Sequence, residues 1–198
     1  MNVKAKQPLV MLPGLLNDRR VFAPQIDALR ARAEIIVPEL WHDDTIEALV
    51  GRVLGEAPPS FALAGFSMGG YVALEIVRRA PERVRKLALI DTSARAETAE
   101  GQRRRHALIA QTLLGRWRGI TSIMLPLLIH RDRLTDKALV GVLSDMALDV
   151  GSKGYVNQQR AIMSRRDNRR TLRRISVPTV VICGVDDEVT PIEHSQEM

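Results

Sequence analysis

Residues 61–80, FALAGFSMGGYVALEIVRRA, decide the fold. Residues 61–64 are an apolar run long enough for a buried strand and too short for a helix. Gly65-Phe66-Ser67-Met68-Gly69-Gly70 follows, and Val72, Ala73, Ile76 and Val77 then recur at helical spacing up to Pro81. A strand that runs straight into a helix through G-x-S-x-G is a nucleophile elbow. The spacing has a steric cause. A serine on so tight a turn leaves no room for a Cβ two residues before or after it, so Gly65 and Gly69 clear the strand and the helix, and Gly70 lets the two approach further. The turn lifts Ser67 Oγ off the sheet and aims the N-terminus of the new helix, with its partial positive charge, at the reacting atom. The competing reading is a Gly-rich turn with an incidental serine; the flanking strand and helix favour the elbow.

Outward from this stretch, the chain alternates. Residues 8–12 (PLVML) read as a buried strand stopped by Pro13-Gly14, and Asn17 or Asp18 can cap a helix to about Arg30 with Val21, Ile26 and Leu29 inward. Residues 34–37 (EIIV) form a second strand, and residues 45–56 a helix with Ile46, Leu49, Val50 and Val53 at the required intervals. Beyond the elbow come strands at residues 86–90 (KLALI) and 179–183 (TVVIC). Continuous apolar strands, each followed by a helix, predict an α/β fold: a mostly parallel sheet with helices on both faces. Such sheets carry their sites at the carboxyl ends of the strands, where Gly14, Trp41-His42, Ser67, Asp91 and Asp187 all fall.

Residues 94–177 interrupt the alternation with helical runs at 103–114, 119–129, 134–148, 154–163 and 169–175. That is too long for a plain loop. The expected organisation is a core over residues 1–93, a helical lid over 94–168 and a continued core over 169–198. Met124, Leu125, Leu127, Leu128, Met146 and Met163 are candidate pocket liners, although packing among the lid helices is the better account of any one of them.

The 198 residues are 45% hydrophobic and 26% charged, as in ordinary globular domains, and suit one domain with an insertion. Cys183, the only cysteine, sits in an apolar strand and offers no disulfide framework, which fits a reducing cytoplasm. The N-terminus has too few apolar residues for a leader peptide, and no run has the length of a membrane span. The net charge of +6 divides into +10 over residues 94–175 and −4 elsewhere. The Arg pairs at 165–166, 169–170 and 173–174 lack aromatic interleaving and any nucleic-acid motif, so they read as solvated helix faces. Neither nucleic acid nor membrane is expected as a partner.

The segments LPGLLND, GFSMGGYVALEI, PERVRKLALIDTSAR, QQRAIMSRRDNRRTLRRISVPTVVICG and GVDDEVTP resemble lidded α/β-hydrolases, over nearly the whole chain. The resemblance is to bacterial esterases and enol-lactonases of aromatic catabolism. It implies a serine hydrolase acting on a carboxylic ester, thioester or lactone, with no cofactor or metal. Ser67 then forms an acyl-enzyme, and the Met68 backbone N–H after it donates to the oxyanion. The resemblance places the second oxyanion donor at Leu15 and the acid of the triad at Asp187, with Asp91 as the alternative acid used by some members. Epoxide hydrolases and dehalogenases are disfavoured, because they place aspartate where Ser67 stands.

The family's histidine base lies in a Gly-His pair after one more strand, and this sequence has no such pair. His194 is expected on a surface helix, His106 and His130 in the lid facing solvent, and His42 on a loop surface. The resemblance therefore implies a C-terminally incomplete hydrolase, without the final strand and helix of the fold or its catalytic histidine, and with little activity of its own. A non-catalytic ligand-binding protein on the same fold, or a carbon–carbon bond hydrolase, remain as alternatives.

Overall fold

A computed structural model describes residues 6–198. Residues 1–5, the start of the stretch read above as no leader peptide, lie outside the described residues. Strands β1 (Gln7–Leu12), β2 (Ala33–Ile36), β3 (Phe61–Phe66), β4 (Val84–Ile90) and β5 (Thr179–Ile182) form one parallel sheet in the order β2-β1-β3-β4-β5. The register sets Leu12 beside Gly65, Phe66 beside Ile90 and Ile90 beside Ile182, so the central strands end level with one another.

Side-chain alternation then builds two cores. Val10, Leu12, Leu63, Leu87 and Leu89 face helices α2 (Ile46–Glu56) and α3 (Met68–Arg79) in the larger one. Met11 and Ala64, with Leu9, Phe66 and Ala88, face Phe22, Val21 and Ile26 from the turn before α1 (Ala23–Leu29) and from α1 itself. The sheet is thus covered on both faces, as the apolar runs predict. Thr45 caps α2 by accepting from the Ala48 N–H at 3.1 Å, and Asp18 caps the 3-10 turn that precedes α1. At the β5 edge Val181 packs inward, while Val180 and Ile182 are each 50% exposed.

Residues 94–168 depart most from the predicted helices. Helix α4 (Ala99–Gln111), capped by Thr98, gives way to an irregular turn containing Gly115 at φ 75°. No helix forms over 119–129, where only a 3-10 turn at Leu125–Leu127 is present. Gly119 takes φ 67°, Pro126 lacks an N–H, and Ile123 is 83% exposed, so no apolar face repays the ordering of a helix there. The two helices expected at 134–148 and 154–163 are present, meeting at a kink where Gly151 takes φ 67°, ψ 177°; together they are labelled α5 (Lys137–Met163). Residues 169–175 hold a single turn, α6 (Arg169–Leu172), and α7 (Ile192–Glu197) closes the chain.

A buried ion cluster ties the two ends of this segment together. The Glu97 carboxylate, 6% exposed, pairs with Arg105 on α4 and with Arg165 just beyond α5 at 2.9 Å. The Arg165 guanidinium also lies 4.5 Å from the centroid of the Tyr71 ring, carrying the link to α3. Burial pushes the Glu97 carboxyl up, but the hydrogen bonds from Arg165 and Arg105 outweigh it and hold the group at about 2, against an ordinary 4.5. A depressed carboxyl stabilises the fold above its unfolded value and loses that contribution as pH falls towards the folded one. We therefore expect stability to drop between pH 4.5 and about 2. Glu97→Gln should remove on the order of 3 kcal/mol at neutral pH and flatten that acid limb, as read by denaturant melts across the window.

Candidate active site

The geometry at Ser67 is built by its neighbours. Ser67 stands between β3 and α3 at φ 52°, ψ −116°, a conformation that L-residues rarely take. A Cβ on Gly65 would come within 2.6 Å of Gly69 O, and one on Gly69 within 2.1 Å of Leu12 O. A Cβ on Gly70 would meet Thr92 Oγ1 at 2.2 Å. The three glycines therefore set how closely α3 presses on β1, β3 and the loop after β4. The Ser67 N–H donates to Ile90 O at 2.9 Å, while Ser67 O accepts from Gly70 N at 2.9 Å and from Thr92 Oγ1 at 2.8 Å. Thr92 is wholly buried, and nothing in the residues around it in the chain marks it out.

Ser67 opens on a cleft of about 900 Å³ whose walls include Phe66, Asp91, His130, Asp186 and Asp187. Asp187 Oδ1 accepts from the N–H groups of Val189 and Thr190 at 2.8 and 2.9 Å, and Oδ2 from Thr190 Oγ1 at 2.8 Å. Three donors thus fix this carboxylate within its own loop. Asp91 takes φ 42°, and its Oδ1 accepts from Gly184 N at 2.8 Å. Carboxyl oxygens of Asp91 and Asp187 and the Cys183 sulfur all lie within 4.8 Å of one another. Burial raises the Asp91 carboxyl above the usual range, Asp187 pushes the same way, and the Gly184 N–H opposes both. Ser67 and both candidate acids are therefore brought to one cleft.

Leu15 lies in the turn after β1 and Met68 opens α3, and neither is among the cleft walls. A Cβ on Gly14 would lie 3.2 Å from the Phe66 ring, so the turn carrying Leu15 runs close against the end of β3. Among the described residues neither the Leu15 nor the Met68 backbone N–H has an acceptor. Trp41 and His42 are not among the cleft walls. Trp41 packs near Leu16 and Gly154 on the α5 side, and His42 Nε2 pairs with exposed Glu39 at 2.7 Å.

The four histidines separate clearly. His106 is exposed on α4, and His194 on α7 is half-buried, its pKa lowered chiefly by burial. His130 is exposed, as expected of it, and its side chain also borders the cleft. Its Nδ1 accepts from the Asp132 N–H at 3.3 Å, and Nε2 lies 3.5 Å from Asp186 Oδ2. None of the four hydrogen-bonds to Ser67, Asp91 or Asp187.

Residues 9–198 match the model of the alpha/beta hydrolase family. The chain belongs to that family. Among curated proteins, the chain is 29% identical over 152 residues to the pimeloyl-[acyl-carrier protein] methyl ester esterase of Neisseria meningitidis, covering 74% of the chain and 59% of the esterase. It is 29% identical over 146 residues to 3-oxoadipate enol-lactonase 2 of Acinetobacter baylyi, covering 70% of the chain and 51% of the lactonase. The chain thus spans between half and two thirds of the length of these two relatives. Among solved structures, a thermophilic esterase from Thermogutta terrifontis superposes with a TM-score of 0.87 at 25% identity, over 98% of this chain and 77% of that one. No helix among the described residues is long and apolar enough to cross a membrane.

The Thr92 hydroxyl spans the elbow without touching the cleft. Thr92→Val keeps the shape that packs on Gly70 but removes the donor to Ser67 O. We expect it to cost about 1–2 kcal/mol in urea melts, the usual loss for a buried hydrogen bond to a backbone carbonyl.

Proposed function

We propose that this protein is a serine hydrolase of small carboxylic esters, thioesters or lactones, working through an acyl-enzyme on Ser67. The observation that carries the reading is the strained, fully fastened Ser67 at the wall of a cleft that it shares with a pre-oriented Asp187. The names of the relatives, esterases and an enol-lactonase, favour an acyl substrate.

In this mechanism Ser67 Oγ adds to the substrate carbonyl carbon, and its proton passes to an imidazole base. Negative charge gathers on the carbonyl oxygen, where the N–H groups of Met68 and Leu15 receive it, with the N-terminus of α3 behind Met68. Each such donor contributes roughly 2.7–4 kcal/mol to lowering the barrier. Collapse expels the alcohol or thiol, which takes the proton from the imidazolium. Water then repeats the sequence on the acyl-enzyme and frees Ser67. Asp187 holds the imidazole in the required tautomer and stabilises its charge. The base in this mechanism is an imidazole paired with Asp187, a position that none of His42, His106, His130 and His194 takes in this structure. Residues 94–168 act as the lid, with the chain around Pro126 to Arg131 closing one side of the acyl cleft.

A fluorophosphonate should label Ser67 in the protein expressed from its whole reading frame, and Ser67→Ala should abolish labelling by intact-mass measurement. A folded wild type that stays unlabelled would favour the second reading, a binding protein on this fold, which the lack of a paired histidine supports. Asp187→Asn should lower ester turnover at least hundredfold, and Asp91→Asn less than tenfold. The reverse ranking would move the acid to Asp91.

A further inference from the structure

Gln158 lies in the second half of α5 and is wholly buried. Its Oε1 accepts the backbone N–H of Leu16 at 2.9 Å, across 142 positions of sequence. Nothing in the acid or nucleophile machinery uses this side chain, and its Nε2 has no partner. A buried amide with one end unpaired is costly to keep, so the end that is paired calls for an explanation.

The explanation lies in the turn that Gln158 grips. Asn17 N donates to Gly14 O at 3.2 Å, closing a four-residue turn over Gly14, Leu15, Leu16 and Asn17. Leu16 takes φ 60°, whereas Leu15 is not among the positive-φ residues. That is the pattern of a type II turn, which wants glycine at its third position. A leucine there prefers the negative φ of a type I turn, and the two turns differ by a flip of the central peptide, the one that carries the Leu16 N–H. Gln158 Oε1 holds this amide in the flipped orientation.

Packing on α5 reinforces the grip. The Leu16 side chain is 1% exposed and clusters with Ala147, Val150 and Tyr155. The Asp18 N–H points to Met146 Sδ at 3.5 Å. The turn that presents Leu15 is therefore set by a helix outside the sheet.

We propose that Gln158 is a positioning residue for the oxyanion site: by accepting the Leu16 N–H it fixes the strained turn that aims the Leu15 N–H at the developing negative charge. The inference rests on the hydrolase reading above. It predicts a loss in the transition state without a loss in ground-state binding, because no substrate contact is removed.

The test uses Gln158→Met, close in volume but without the amide acceptor, and Gln158→Glu, which keeps an oxygen in place. Hydrolysis of p-nitrophenyl acetate and inhibition by an aryl trifluoromethyl ketone, whose hemiketal oxyanion fills the same site, are measured on the protein from its whole reading frame. Gln158→Met should lower kcat 10- to 100-fold with KM within threefold, and should weaken the ketone by a similar factor. Gln158→Glu should stay within threefold of wild type on both. Equal kcat and ketone affinity in wild type and Gln158→Met would overturn the inference and leave the hydrolase reading standing. A wild type that neither labels with fluorophosphonate nor turns over would overturn both. If Gln158→Met does not fold, Gln158→Glu decides alone: retained ketone affinity supports the acceptor role, and a tenfold loss in a folded Gln158→Glu overturns it.

Discussion

The close approach of α3 to the sheet is the constraint on which the rest of this structure depends. The Cβ that Gly69 lacks would fall 2.1 Å from Leu12 O, so any side chain there would lever the helix off β1. The energetics favour the strained arrangement. A left-handed Ser67 costs roughly 1–2 kcal/mol. Against it stand Val72, Leu74 and Ile76 of α3, none of them exposed, each contributing about 1.5–3 kcal/mol by burial. Packing wins several-fold, and the serine is held where local preference would not put it.

Once α3 is seated, the parallel topology gathers the remaining chemistry. Every strand leaves the sheet at the same end, so the loops after β1, β3, β4 and β5 open in one direction. The level ends of β3, β4 and β5 bring Ser67, Asp91 and Asp187 to one cleft. Two carboxyls so near each other cannot both ionise freely. The asymmetry of their partners resolves the conflict: Asp187 accepts from three donors within its own loop, while Asp91, with the Gly184 N–H as its backbone donor, is pushed towards the neutral form.

What the sequence made legible was local. The elbow glycines, the apolar strands and the inward stripe of α2 each act within a few residues, so composition and spacing report them directly. Residues 119–129 misled because apolar content looks alike in a helix and in an exposed turn; Ile123, counted as helical, is mostly in solvent. That exposed His130 also borders the cleft beside Asp186 depends on how the irregular chain after Pro126 folds over the loop after β5, which no periodicity encodes. Thr92 and Gln158 escaped for the same reason. Their partners lie 25 and 142 positions away, and nothing in their own neighbourhoods marks them as polar groups with a fixed task.

Backbone strain links these pieces. Among the described residues, the non-glycine positions with positive φ are Leu16, Ser67 and Asp91. They fall in the loops leaving β1, β3 and β4, three adjacent strands at the centre of the sheet. Each is held by bonds from another element: Leu16 by Gln158, Ser67 by Ile90 O and Thr92, and Asp91 by Ile182 O and the Gly184 N–H. Strain scattered by chance would not collect at one end of one sheet, nor would each instance come with its own fastening. Residues kept in costly conformations persist where the surroundings over-determine them, and they cluster where geometry is used. The three outliers therefore mark the carboxyl end of the sheet as the place where geometry is held against local preference, with Ser67 and Asp91 on the cleft wall itself and Leu16 in the turn after β1.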